Sequence, residues 1–343
     1  IVTSGWDGTV RLWSGEGEEL ATLEAEVGLI NGLALSDDGR FMLTGGDTGI
    51  VRLWELRWGH AEPIATLPGH RSVVLNVAFA PEGVVAASVA WDGEIRVWDA
   101  SPGGRGEIAV WSGAGPVAFS PDGTMLACAD EQRRDVTVRP VDGGQPQLVL
   151  GVAASIGDAA SGEEWGVSGS VVFSPDGEYL ATTNSGIEET PGSLMLWEVA
   201  SGTTHATVFQ HPFLRDTAAF NDDGSRIATG TCGFSSPSAT ASVFDVASGD
   251  LVFSTPPGPC GHSVDLDASG ELLAVLVEHD RPNVQIWDVT TGQLVMEASH
   301  QPSLAGSVQF SPDGSRLLTV GAHGFGRIWD TESGDPLLTL KGH

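Results

Sequence analysis

Seven copies of a strand-and-turn string, eight tryptophan-type strands recurring mostly every 41–47 residues, and 46 Gly with 19 Pro in 343 residues together predict an all-β fold. The class they point to is a β-propeller of four-stranded antiparallel blades, a single domain over residues 1–343 in which neighbouring sheets bury each other's faces.

The first strand of each repeat runs into a tight turn: LALSDDG at 33–39, VAFAPEG at 77–83, VAFSPDG at 117–123, VVFSPDG at 171–177, AAFNDDG at 218–224, VDLDASG at 264–270 and VQFSPDG at 308–314. An alternating apolar run suits a half-buried strand, and the turn ends on Gly because that corner needs positive φ. A second strand rich in small residues follows, as in TMLACAD, SRIATGT and SRLLTVG, and pairs back on the first. The third strand recurs eight times, centred on Trp13, Trp54, Trp98, Val141, Trp197, Phe244, Trp287 and Trp329 at spacings of 41, 44, 43, 56, 47, 43 and 42. Segments such as ELATL, PIATLPGH and LLTLKGH supply the fourth. Counting third strands gives eight blades, the first without its inner strand. The alternative is seven blades from Leu29 onward, with residues 1–28 as a remnant. Gly151–Gly169 and Asn184–Gly192 are expanded connections, where a rigid frame carries variable loops.

The Trp-Asp pairs at 98–99, 287–288 and 329–330, the Gly-His pairs at 69–70, 261–262 and 342–343, and the SPDG turns resemble the WD-repeat family over essentially the whole chain. The resemblance implies a buried structural tetrad of His, Ser or Thr, Asp and Trp, which His70, Ser88, Asp92 and Trp98 fit. In the first repeat Thr3, Asp7 and Trp13 lack a His, and His343 is expected to supply it. Only three of eight repeats keep Asp six residues before the Trp position, so later blades should rely more on apolar packing.

With 16 Lys plus Arg against 45 Asp plus Glu, the net charge of −29 repels phosphate backbones, and nucleic acid is not an expected partner. No apolar run is long enough to span a bilayer, so no membrane insertion is expected. Ile1 falls inside a repeat, which leaves room for a targeting segment or another domain ahead of it; the cytoplasm is the favoured compartment. One Lys against fifteen Arg fits a high-GC prokaryotic genome.

The nine His residues lack metal-ligand spacing, so no metal and no cofactor is expected. Cys128, Cys232 and Cys260 form no C-x-x-C; a bridge between Cys232 and Cys260 is allowed because their loops open on the same face. Neither a G-x-S-x-G elbow nor a phosphate-binding glycine loop nominates a catalytic residue.

The residue just before the tetrad Asp position points to the top face in this family, which nominates Trp6, Asp47, Trp91 and Arg134 for binding, with Trp165 of the acidic insert beside them. Trp and Arg are the side chains that most often anchor interfaces. The expected function is an interaction scaffold or sensor that binds a protein or peptide on that face, as one module of a longer signalling chain whose other domains are also partners. The alternative is a propeller hydrolase or lyase acting on a small molecule in the central channel. Periplasmic TolB-type propellers share the SPDG turn, but the Gly-His and Trp-Asp pairs argue against them.

Overall fold

The computed structural model describes residues 1–101, 103–104, 106–113, 115–130, 135–151, 170–184, 192–211, 214–231, 241–258, 260–278, 283–299, 305–321 and 325–341. These form eight antiparallel blades and no helix: seven sheets of four strands, and a first of three. Blades 1–4 span residues 2–24, 30–67, 74–112 and 117–151; blades 5–8 span 171–211, 214–254, 260–299 and 305–341. The chain divides into two compact units, residues 1–152 with blades 1–4 and residues 153–342 with blades 5–8. Residues 1–28 are therefore not a remnant. They form a blade whose Val10 and Leu12 pack with Ile30, Met42 and Trp54 of blade 2.

The turn between first and second strands shows how the repeated string acts. In blade 8 the Ser311 hydroxyl donates to Asp313 (2.6 Å) and accepts the Arg316 N–H (3.0 Å), closing the corner from inside. Asp313, which also accepts hydrogen bonds from the Ser315 hydroxyl and amide, is held down at a pKa of about 2. Ser36, Ser120 and Ser174 repeat the arrangement with Asp38, Asp122 and Asp176. Where the serine is replaced, Asn221 accepts the Arg226 N–H and Asp267 the Leu272 N–H, both at 2.8 Å, so the turn survives a change of side chain. The glycine ending each string has φ between 66° and 75°.

The second strand of blade 2, Phe41–Gly46, is buried at every position between blades 1 and 3, Met42 packing with Val10 and Leu12 and Leu43 with Val74 and Val77. A Cβ at Gly46 would lie 2.1 Å from the carbonyl oxygen of Leu29, so only glycine lets the loop entering blade 2 approach. Outer strands are mostly exposed instead, as in His60–Leu67, where Ala61 and Leu67 alone are buried.

In five blades the third-strand aromatic packs toward the preceding blade of the same unit: Trp54 on blade 1, Trp98 on blade 2, Phe244 on blade 5, Trp287 on blade 6 and Trp329 on blade 7. Blade 4 requires a correction. Ala100, Val199 and Val246 each donate a backbone hydrogen bond back to the turn between first and second strands, two residues after the aromatic, and in blade 4 that donor is Val141. The aromatic position is therefore Arg139, because Met125 pairs with Pro140 and sets the register two residues away from the one the letters suggest. Its guanidinium lies 5.6 Å from the ring centre of Trp111, contributed by blade 3, so the seam keeps an indole donated from the other side.

Candidate interaction face

His70 enters blade 3 on the loop after Leu67, Ser88 lies on its second strand, Asp92 in the following turn and Trp98 on its third strand. The fold brings all four together. The Trp98 indole N–H donates to Ser88 Oγ (2.8 Å), Ser88 Oγ lies 2.8 Å from His70 Nε2, and His70 Nδ1 lies 3.1 Å from Asp92 Oδ2. Ser88 already accepts from the indole, so its proton goes to Nε2, and Nδ1–H donates to Asp92. Asp92 also accepts the Arg71 N–H (2.7 Å) and the Glu94 N–H (3.1 Å). Burial alone would raise the Asp92 pKa, but these donors and His70 bring it below the usual carboxylate range. Burial pushes His70 down and outweighs Asp92, keeping the imidazole neutral near pH 7.

Serine, imidazole and carboxylate are thus connected as in a hydrolytic triad, yet Ser88 is fully buried and its oxygen is engaged by an indole. A nucleophile needs access to a substrate carbonyl, and this hydroxyl has none. His70, Asp92 and Glu94 also lie close enough to suggest a cation site. Their donor atoms are already used: both imidazole nitrogens are bonded, and Glu94 pairs with Arg96 at 2.5 Å.

In blade 1 Trp13 donates to Thr3 Oγ1 (2.8 Å), while Asp7 accepts from the Thr9 amide and hydroxyl. The same indole-to-threonine bond recurs at Trp54–Thr44, Trp197–Thr182 and Trp329–Thr319. Blade 7 differs, Trp287 donating to Gln285. His343, Arg134, Trp165 and Cys232 lie outside the described residues. Cys260 is disulfide-bonded, and Cys128 is a buried thiol 3.0 Å from the Thr137 hydroxyl.

Trp6, Asp47 and Trp91 occupy the turns between second and third strands of blades 1, 2 and 3, all within one unit and all at the same blade ends. Trp6 is 70% exposed and Trp91 69%, whereas Trp13, Trp54, Trp98 and Trp111 of that unit are buried. Backbone bonds fix the turns on the loops entering blades: Trp91 N–H donates to Val73 O and Asp47 N–H to Leu29 O. The exposed Asp47 carboxylate accepts from Asn31 Nδ2 at 3.1 Å, and Asn31 also bonds Val74 O. Rigid turns therefore present two indoles with a positioned carboxylate on the turn between them.

Three residues escaped the sequence reading. Trp58, 89% exposed, sits in the opposite-end turn between third and fourth strands of blade 2. Its signal was a tryptophan in a hairpin corner, RWGH. Asn31 left no pattern. Asp265 replaces the small residue of the V-A-F strand, and that substitution in VDLDASG was the available sign.

The WD domain, G-beta repeat family matches residues 17–55, 61–99 and 293–330. A ribosome biogenesis protein WDR12 homolog of Chlamydomonas reinhardtii is 33% identical over 108 residues, covering 29% of this chain and 24% of that protein. The target of rapamycin complex subunit LST8 of Saccharomyces cerevisiae is 31% identical over 100 residues, 29% and 33% of the two chains. The transcriptional corepressor LEUNIG_HOMOLOG of Arabidopsis thaliana is 21% identical over 314 residues, 90% of this chain and 31% of that one. The chain thus spans between 24% and 33% of the length of these relatives.

Proposed function

The chain belongs to the WD-repeat β-propeller family, and on that premise we propose that it is a non-catalytic interaction scaffold whose blade ends bearing Trp6, Asp47 and Trp91 bind a protein or peptide. The observation that carries this reading is the pair of exposed indoles on turns fixed by backbone hydrogen bonds. Tryptophans that build the blades are buried, so these two have no duty within the sheets, and a solvent-facing indole costs solubility unless a partner covers it. The relatives fit this reading, being named a ribosome biogenesis protein, a target of rapamycin complex subunit and a transcriptional corepressor.

The test is affinity capture from the source cell with the purified chain, comparing wild type with Trp6→Ala, Trp91→Ala and the opposite-end Trp58→Ala. Trp91→Ala is expected to weaken partner binding by about 2 kcal/mol or more with the melting temperature nearly unchanged. Intact binding with a large loss of stability would make Trp91 a packing residue and remove it from the face.

A further inference from the structure

The blade ends that carry Trp6 and Trp91 have a particular charge. Their second-to-third-strand turns and entering loops hold Asp7, Glu26, Asp47 and Asp92, against Arg71 as the one arginine or lysine among the described residues of those same turns and loops. Asp7, Glu26 and Asp47 are exposed. Glu26 also pairs with Arg52 at 2.7 Å and Asp92 with His70, but Asp47 is aimed by a neutral amide, Asn31, so its charge is not cancelled by that neighbour. Leu29, 44% exposed, adds an apolar contact beside Asp47. The whole chain carries −29, so the field at this face draws cations and repels phosphates and acidic segments. An exposed indole face is itself the best side-chain surface for a cation, above all for a planar guanidinium that can stack on it.

We infer that this face takes an extended peptide segment bearing arginine or lysine, its cationic groups stacking on Trp6 and Trp91 and pairing with Asp47. The inference rests on the scaffold reading above and names the chemistry of its partner. Carboxylates steer the segment and the indoles select it: charge gives rapid encounter, while stacking requires the guanidinium or ammonium to reach particular rings. Side-chain stems of arginine or lysine would cover Leu29.

The experiment uses the intact purified chain and fluorescein-labelled peptides of alternating Arg-Gly, Lys-Gly, Gln-Gly and Glu-Gly sequence, read by anisotropy at about 0.15 M salt. A second arm selects ligands from a randomised peptide display library. Generalised attraction to an acidic protein is the confounder, and Trp→Ala variants separate it because they leave the net charge unchanged. The expected result is that the Arg peptide binds, the Gln and Glu peptides do not, and each of Trp6→Ala and Trp91→Ala loses about tenfold in affinity while Trp58→Ala matches wild type. Asp47→Asn is expected to weaken binding severalfold. Equal binding of the Arg peptide to wild type and both face variants would overturn the inference as mere charge attraction. Library ligands that are neutral or acidic, and that lose binding on Trp91→Ala, would overturn the cationic chemistry and leave the scaffold reading standing. Failure of both arms to give any ligand sensitive to Trp6 or Trp91 would overturn the two together.

Discussion

Trp98 donates to Ser88, Ser88 to His70 and His70 to Asp92, so one order of protons satisfies four polar groups in the seam between blades 2 and 3. Asp92 anchors one end of that chain. Removing the Asp92 carboxylate strands the imidazole N–H in a buried place and leaves the Arg71 amide without its acceptor, whereas removing Trp58 strands nothing. Asp92→Ala is accordingly expected to cost about 1–3 kcal/mol in denaturant unfolding, the penalty for unpaired buried donors. Wild-type stability in that variant would mean the bonds to Asp92 hold nothing in place. The resemblance to the WD-repeat family pointed to these four in the sequence. Arg139 was not legible there, because its neighbours copy the letters of a tryptophan strand while Met125 pairing with Pro140 sets a different register. Strand pairing is decided by hydrogen bonds along the whole sheet, and a five-letter resemblance does not contain them.

The same contrast holds for elements. In six of the seven turns a Ser, Asn or Asp satisfies the same backbone donor, and the seventh, with Ala80, closes on its backbone bonds alone, so the turns were readable from their strings whatever the identity of that one residue. The link between the inner strands of blades 7 and 8 was not readable. There Asp265, on Cys260–Leu266, accepts the Phe310 N–H of the next blade at 2.7 Å, and Ser263 accepts the Val308 N–H at 3.2 Å. Burial pushes the Asp265 pKa up to about 6, with Asp222 and Asp267 adding to the rise, against the Phe310 and Leu266 amides. A folded-state value above the unfolded 3.8 means the native protein keeps a proton that the unfolded chain releases. Stability contributed by this group is therefore present at low pH, falls between about pH 4 and 6, and stays low above that window. Asp265→Asn keeps an acceptor for Phe310 and removes the buried charge. It is expected to gain about 1–3 kcal/mol over wild type at pH 7.5 and nothing near pH 4, measured by urea unfolding at both. A difference between the two proteins that does not change with pH would refute the assignment.

For the molecule as a whole, eight blades were legible because a large third-strand side chain, or its replacement, recurs once in each blade, and within each unit it fills the seam behind it. The seven-blade alternative treated residues 1–28 as spare, and it fails because Val10, Leu12, Ala25 and Val27 are buried in one cluster with blade 2. The partner chemistry was less legible: the net charge is in the composition, but which carboxylates share a face with exposed indoles depends on how the turns stack. That charge has two opposed consequences, and one titration measures both. Forty-five acidic against sixteen basic side chains repel one another across the folded surface, while the same carboxylates attract a cationic segment. Raising the ionic strength from about 0.01 M to 0.1 M shortens the screening length from about 30 Å to 10 Å, which reaches both interactions. Self-repulsion weakens, so the melting temperature is expected to rise by about 2–5 °C. Attraction weakens too, so affinity for the Arg-Gly peptide is expected to fall severalfold over the same range, mostly through slower association. A melting temperature that falls with salt would show that ion pairs such as Arg11–Glu19 and Arg52–Glu26 outweigh the repulsion, and the acidic surface would then be a stabilising network instead of a field held in reserve for a partner.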